Sequence, residues 1–70
     1  MTQGPTIDDT FVRFEKVERQ LEKKLQEAEK EQAEGRTGLQ AIMDAQALSR
    51  ELNSIGMTLT LMIDEARKAL

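Results

Sequence analysis

Apolar residues recur through the first half of the chain at spacings of three and four. Ile7, Phe14, Leu21 and Ala28 come every seven residues, and Phe11 and Leu25 fill alternate positions of the same stripe. Glu18 and Gln32 interrupt that second row, and Val17 sits beside the Glu18 gap and covers it. This spacing predicts one amphipathic helix from Ile7 to about Glu34 with a single narrow apolar stripe. Thr6-Ile7-Asp8-Asp9 resembles a capping box, with Asp9 standing where the longer Glu is preferred. Asp8 and Asp9 also suit the positive end of the helix dipole. The other faces carry mixed charge, with Glu15 and Arg19 as a favourable i,i+4 pair and Glu27 and Glu31 as an unfavourable one. Such a surface reads as a solvated helix back.

Glu34-Gly35-Arg36-Thr37-Gly38 breaks the period. Gly35 can take the left-handed conformation that ends a helix, and Thr37 with Gln40 three residues on reads as a second capping box. A second helix then runs from about Gly38 to Ala69. Its seam is Ala41, Ala45, Leu48, Leu52, Ile55, Leu59, Met62, Ala66 and Ala69, and Leu39, Ile42, Met43, Gly56, Ile63 and Leu70 add a second stripe. Two helices joined by so short a turn fold back on each other. The expected fold is all-α, an antiparallel two-helix hairpin over about 7–34 and 38–69, preceded by a disordered tail over 1–5. A continuous helix through the turn is the competing reading, since each Gly costs only about 1 kcal/mol.

The run Ile55–Ile63 stands apart. It carries no charge, in a chain that is 33% charged. On the heptad frame Ile55, Leu59 and Met62 belong to the seam that the first helix can cover. Gly56 and Ile63, with Met57 and Leu61 beside them, face elsewhere. Ile55, Gly56, Met57, Leu59, Met62 and Ile63 are therefore the candidate partner-binding residues. Each also has a plain structural reading: the Met residues as core filler that repacks easily, and Gly56 as tolerated close packing rather than a contact point for a partner. The expected probes are Leu59→Asp, which tests the seam and the surface together, and Ile63→Asp, which tests the surface alone.

Composition sharpens this. At 70 residues there is room for one small domain, and a single seam between two helices buries little apolar area for a chain that must order its whole backbone. Small chains usually close that gap with disulfides, a metal or a partner. The chain has no Cys and no His, so disulfides and the usual zinc sites are excluded, and association with other protein remains. The same absence removes nucleophilic triads, since nothing can activate Ser49 or Ser54. Exposed acids such as Glu27 and Glu31 lack the buried cleft that tunes catalytic carboxylates. Gly35 and Gly38 begin no phosphate loop, and the acids are not spaced as a calcium loop. The expectation is a protein that is not an enzyme and holds no cofactor or metal. A net charge of −3 disfavours nucleic acid as a main partner. No basic apolar leader is visible, and the uncharged run is far shorter than the roughly 20 residues of a membrane span. A cytoplasmic location with no membrane span is expected.

From Arg19 to Met62 the chain resembles the small YscE/PscE-type co-chaperones of the type III secretion needle. The residues that carry the likeness are Gln20-Leu21-Glu22, Leu25, the break at Gly35, and Ser49-Arg50-Glu51-Leu52-Asn53-Ser54 leading into an aliphatic run. The segment through Phe11 and Phe14 lies outside it. The resemblance implies a cytosolic bacterial helical hairpin that pairs with a tetratricopeptide-like chaperone and, with it, holds a needle subunit monomeric before export. It implies that the surface around Ile55, Leu59, Met62 and Ile63 faces the chaperone. Two alternatives stand beside it. One is a needle or inner-rod subunit, although this turn lacks the Pro usual there and the first helix is more charged. The other is a homodimeric four-helix bundle.

Overall fold

The structure, a computed structural model, describes residues 4–70. Helix α1 spans Ile7–Ala33 and helix α2 spans Leu39–Lys68. They pack antiparallel along their length into a rod 54 × 23 × 13 Å in extent. Of the expected N-terminal tail, residues 1–3 lie outside the described residues, and Gly4 and Pro5 take no regular structure.

The start of α1 is the expected capping box. Thr6 Oγ1 accepts from the Asp9 backbone N–H at 3.0 Å, and the Asp9 carboxylate accepts from the Thr6 N–H at 3.5 Å. The second contact is long because Asp is one methylene shorter than Glu. The end of α1 is a full left-handed glycine cap. Gly35 sits at φ +84°, its N–H donates to Gln32 O, and the Arg36 N–H donates to Glu31 O at 2.8 Å, which satisfies carbonyls the helix would otherwise leave open.

The second capping box does not form. The residue before α2 is Gly38, not Thr37, and it too is left-handed, at φ +66°. Gly38 is buried against Ala28: a Cβ there would lie 3.0 Å from Ala28 O and 3.2 Å from Ala28 Cα. The chain must therefore turn through a left-handed residue, without a side chain, before α2 can begin. That shifts the helix start one residue past the register a Thr37–Gln40 box requires. Thr37 Oγ1 instead accepts from Leu39 N–H, and the Gln40 amide donates to Asp44 Oδ1.

The α2 seam is as expected from Ala41 to Met62 and ends there, short of the expected Ala66 and Ala69. Ala41, Ala45 and Ile55 are buried, and Leu48, Leu52, Leu59 and Met62 are half-buried, whereas Ala66 and Ala69 are exposed beyond the reach of α1. The α1 seam is half as expected. Ile7, Phe14, Leu21 and Ala28 face inward, but the alternate row is Thr10, Val17, Lys24 and Glu31, one residue before the row through Phe11 and Leu25. Phe11 and Leu25 are about half exposed, at 49% and 51%. Val17 in place of Glu18 explains the rotation, since the seam gains a buried aliphatic (4% exposed) where the other row offers a carboxylate. The rotation carries Lys24 into the seam. Its Nζ bonds Glu27 Oε2 at 3.2 Å and reaches Asp44 Oδ2 of α2 at 3.5 Å. The hydrogen bond to Glu27, then that residue's charge, then Asp44 hold the Lys24 pKa above its usual value. Thr10, also brought in, donates its hydroxyl to Thr6 O at 2.9 Å, with Met62 Sδ 3.3 Å away.

Candidate functional site

Helical geometry, at about 100° per residue, gives the hairpin two flanks on either side of the seam, and they differ in kind. On one flank, bases of α1 meet acids of α2. Arg13 faces Glu51 (3.7 Å), and the Lys24–Glu27–Asp44 cluster bridges the helices further along. On the other flank, α2 presents Ile42, Gln46, Ser49, Asn53, Gly56, Thr60 and Ile63, a row without a charge.

Along this second flank runs an open groove of about 670 Å³, lined by Phe14, Ser49, Leu52, Asn53, Gly56, Met57, Thr60 and Leu61. Phe14 comes from α1 and its ring edge forms the wall. A Cβ on Gly56 would meet Phe14 Cε2 at 3.5 Å, an ordinary contact, so the hairpin itself has room for a side chain at this position. Gly56 thus leaves a notch in the groove floor that no packing inside the hairpin requires. Mid-helix glycine costs about 1 kcal/mol against alanine.

Among the groove's polar residues, Thr60 turns its hydroxyl back onto the helix, donating to Gly56 O at 2.9 Å. Thr58, whose hydroxyl donates to Ser54 O at 3.2 Å, lies on the ion-paired flank beside Arg13 and Glu51. Met57, Leu61 and Ile63 are 63%, 65% and 52% exposed. From Leu52 to Ile63 the exposed surface of α2 is therefore without charge over three turns.

The six residues singled out from sequence divide here. Ile55 is buried at 5%, Leu59 and Met62 are half-buried in the seam, and the three serve the fold. Met57 and Ile63 are exposed, and Gly56 forms the notch. Phe14 as a groove wall, and Ser49, Asn53 and Thr60 as its neutral lining, were not legible as site residues. Phe14 reads as pure core at its heptad position, and uncharged polar residues carry no signal by themselves. Leu39 and Met43 are further apolar residues left exposed on α2, at 61% and 52%.

Two smaller hollows lie on the ion-paired flank, one lined by Arg13, Glu51 and Thr58 and the other by Lys24, Glu27 and Asp44. Glu27 and Glu31 are each in an ion pair, with Lys24 and with Arg36. Glu15 and Arg19 do not pair through their side chains: Arg19 Nε donates to the Glu15 carbonyl. Among the described residues, no three acidic residues converge as a metal cluster, and no helix is long and apolar enough to cross a membrane. No family model, curated protein or solved structure matches the chain.

Proposed function

We propose that the chain is a non-enzymatic protein-binding hairpin that works as a co-chaperone. It pairs with a tetratricopeptide-like chaperone to keep a type III secretion needle subunit soluble in the bacterial cytoplasm before export. One observation supports the binding role above the others: the exposed, uncharged surface of α2 from Leu52 to Ile63 with its notch at Gly56, in a chain otherwise one-third charged. A solvated helix gains nothing from such a surface, and a docked partner does. The identity of the partner rests on the resemblance carried by Gln20-Leu21-Glu22, Leu25, Gly35 and the Ser49–Ser54 segment.

Size-exclusion chromatography with light scattering tests this on the purified chain, alone and co-expressed with a needle chaperone. The expected result is poor behaviour alone and a one-to-one complex on co-expression. A discrete, stable dimer of the chain alone would favour the homodimeric bundle, and growth into filaments the needle-like subunit. Either would overturn the co-chaperone reading.

A further inference from the structure

Charge on α1 is sorted by flank, and the sorting says what the partner must supply. On the ion-paired flank, Arg13 and Lys24 meet Glu51 and Asp44 of α2, so opposite charges face each other between the helices there. On the groove flank, α1 presents a row that starts at Phe11 and continues through Glu15, Glu18, Glu22, Leu25 and Glu29. Successive members are three and four residues apart, so they lie along one side of the helix. The row of α2 across from it carries no charge between Ile42 and Ile63. Among the described residues, none of these four glutamates takes part in an ion pair. Glu15, Glu18 and Glu22 also stand at mutually repelling spacings. The hairpin therefore keeps a line of carboxylates outside any ion pair along one rim of its apolar face, with Arg19 the one base at helical spacing from Glu15 and Glu22, and leaves the facing row of α2 uncharged.

Resting on the protein-binding reading above, we infer that the groove flank receives an amphipathic helix of another protein, with an apolar stripe and Lys or Arg along the one edge that lies against α1. The apolar stripe enters the groove over Gly56, beside Phe14. The basic edge neutralises the glutamate row, and the uncharged far edge lies along Asn53 and Thr60. A partner helix with acids on that edge would add like charge to an unpaired row and is rejected. A basic edge also speeds encounter at low salt.

A display library of 20-residue amphipathic helices, with a fixed apolar stripe and both edges randomised among Lys, Glu, Gln and Ser, tests the inference directly. The bait is the full chain. The expected outcome is enrichment of helices with Lys on one edge only. For the best of them, an edge swap from Lys to Glu weakens binding at least tenfold in 50 mM salt, and the difference shrinks in 500 mM salt. The exposed double variant Glu18→Lys with Glu22→Lys reverses the preference. Enrichment without charge bias that is lost in Gly56→Leu leaves the docking face in place and overturns this inference alone. Enrichment that Gly56→Leu does not affect, or no enrichment at all, overturns both readings. A dimer of the chain that dissociates in Gly56→Leu makes a second copy the occupant and likewise overturns the basic-helix inference.

Discussion

Gly56→Ala separates what the hairpin needs from what a partner needs. In a helix interior alanine is favoured over glycine by about 1 kcal/mol, because glycine loses more backbone freedom on folding. The new Cβ meets Phe14 Cε2 at 3.5 Å, an ordinary contact, so no steric penalty offsets the gain. For a domain of this size about 1 kcal/mol corresponds to roughly 4–8 °C in Tm. Thermal unfolding of the full chain followed by circular dichroism should show a rise of that order. The same methyl fills the notch in the groove floor, so affinity for the partner should fall while stability rises, and Gly56→Leu should deepen the loss. A lower Tm would refute the packing argument, since it would mean that Phe14 cannot accommodate the methyl. A higher Tm with undiminished binding would refute the docking role of the notch.

Gly38→Ala forces a non-glycine residue to φ +66° and sets its Cβ 3.0 Å from Ala28 O, whereas Gly35→Ala has the left-handed strain with nothing within 4 Å. Left-handed strain alone costs about 1–2 kcal/mol, so urea unfolding should show that loss in Gly35→Ala and a clearly larger one in Gly38→Ala; equal losses would contradict the close approach of the turn to Ala28. The Lys24 pKa is raised above its usual 10.5 by Glu27 and Asp44, so its contribution is fully present below about that pH and is lost as pH rises through the higher folded value. The urea midpoint should therefore drop at alkaline pH, and part of that drop should vanish in Lys24→Met; identical pH profiles would mean that the cluster holds nothing.

The hairpin itself was legible in the sequence. The seven-residue recurrence, the Thr6 cap and the Gly35 stop each follow from local chemistry, and each stands in the structure. The α2 seam was equally clear from Ala41 to Met62, because its row stays apolar at every turn while the second stripe is broken by Gln46, Ser49, Asn53 and Thr60. The α1 seam was ambiguous by one residue. Two adjacent rows offered Phe11 and Leu25 on one side and Val17 on the other, and spacing alone does not weigh them. Val17 decides, by burying where the other row offers the Glu18 carboxylate, and that weighing leaves no periodic trace. The resulting rotation of α1 is also what turns Phe11 and Leu25 outward and sets the glutamate row beside them. The exposed half of the Ile55–Ile63 run was readable as surface from its position on the heptad frame. The groove it borders was not, since Phe14 contributes its wall from the other helix.

The central claim is that the uncharged flank of α2 is where a partner docks, and Met57→Glu tests it most directly. Met57 is 63% exposed and lines the groove, and Met and Glu have similar helix propensity, so stability should stay within about 0.5 kcal/mol. A bound partner would cover the rest of the side chain, worth roughly 1–2 kcal/mol for methionine, and would bury an unpaired carboxylate at a cost of several kcal/mol more. Isothermal titration of the variant against the proposed chaperone partner should then show binding weakened by far more than tenfold, with thermal unfolding unchanged. Wild-type affinity in a folded Met57→Glu chain would contradict the account.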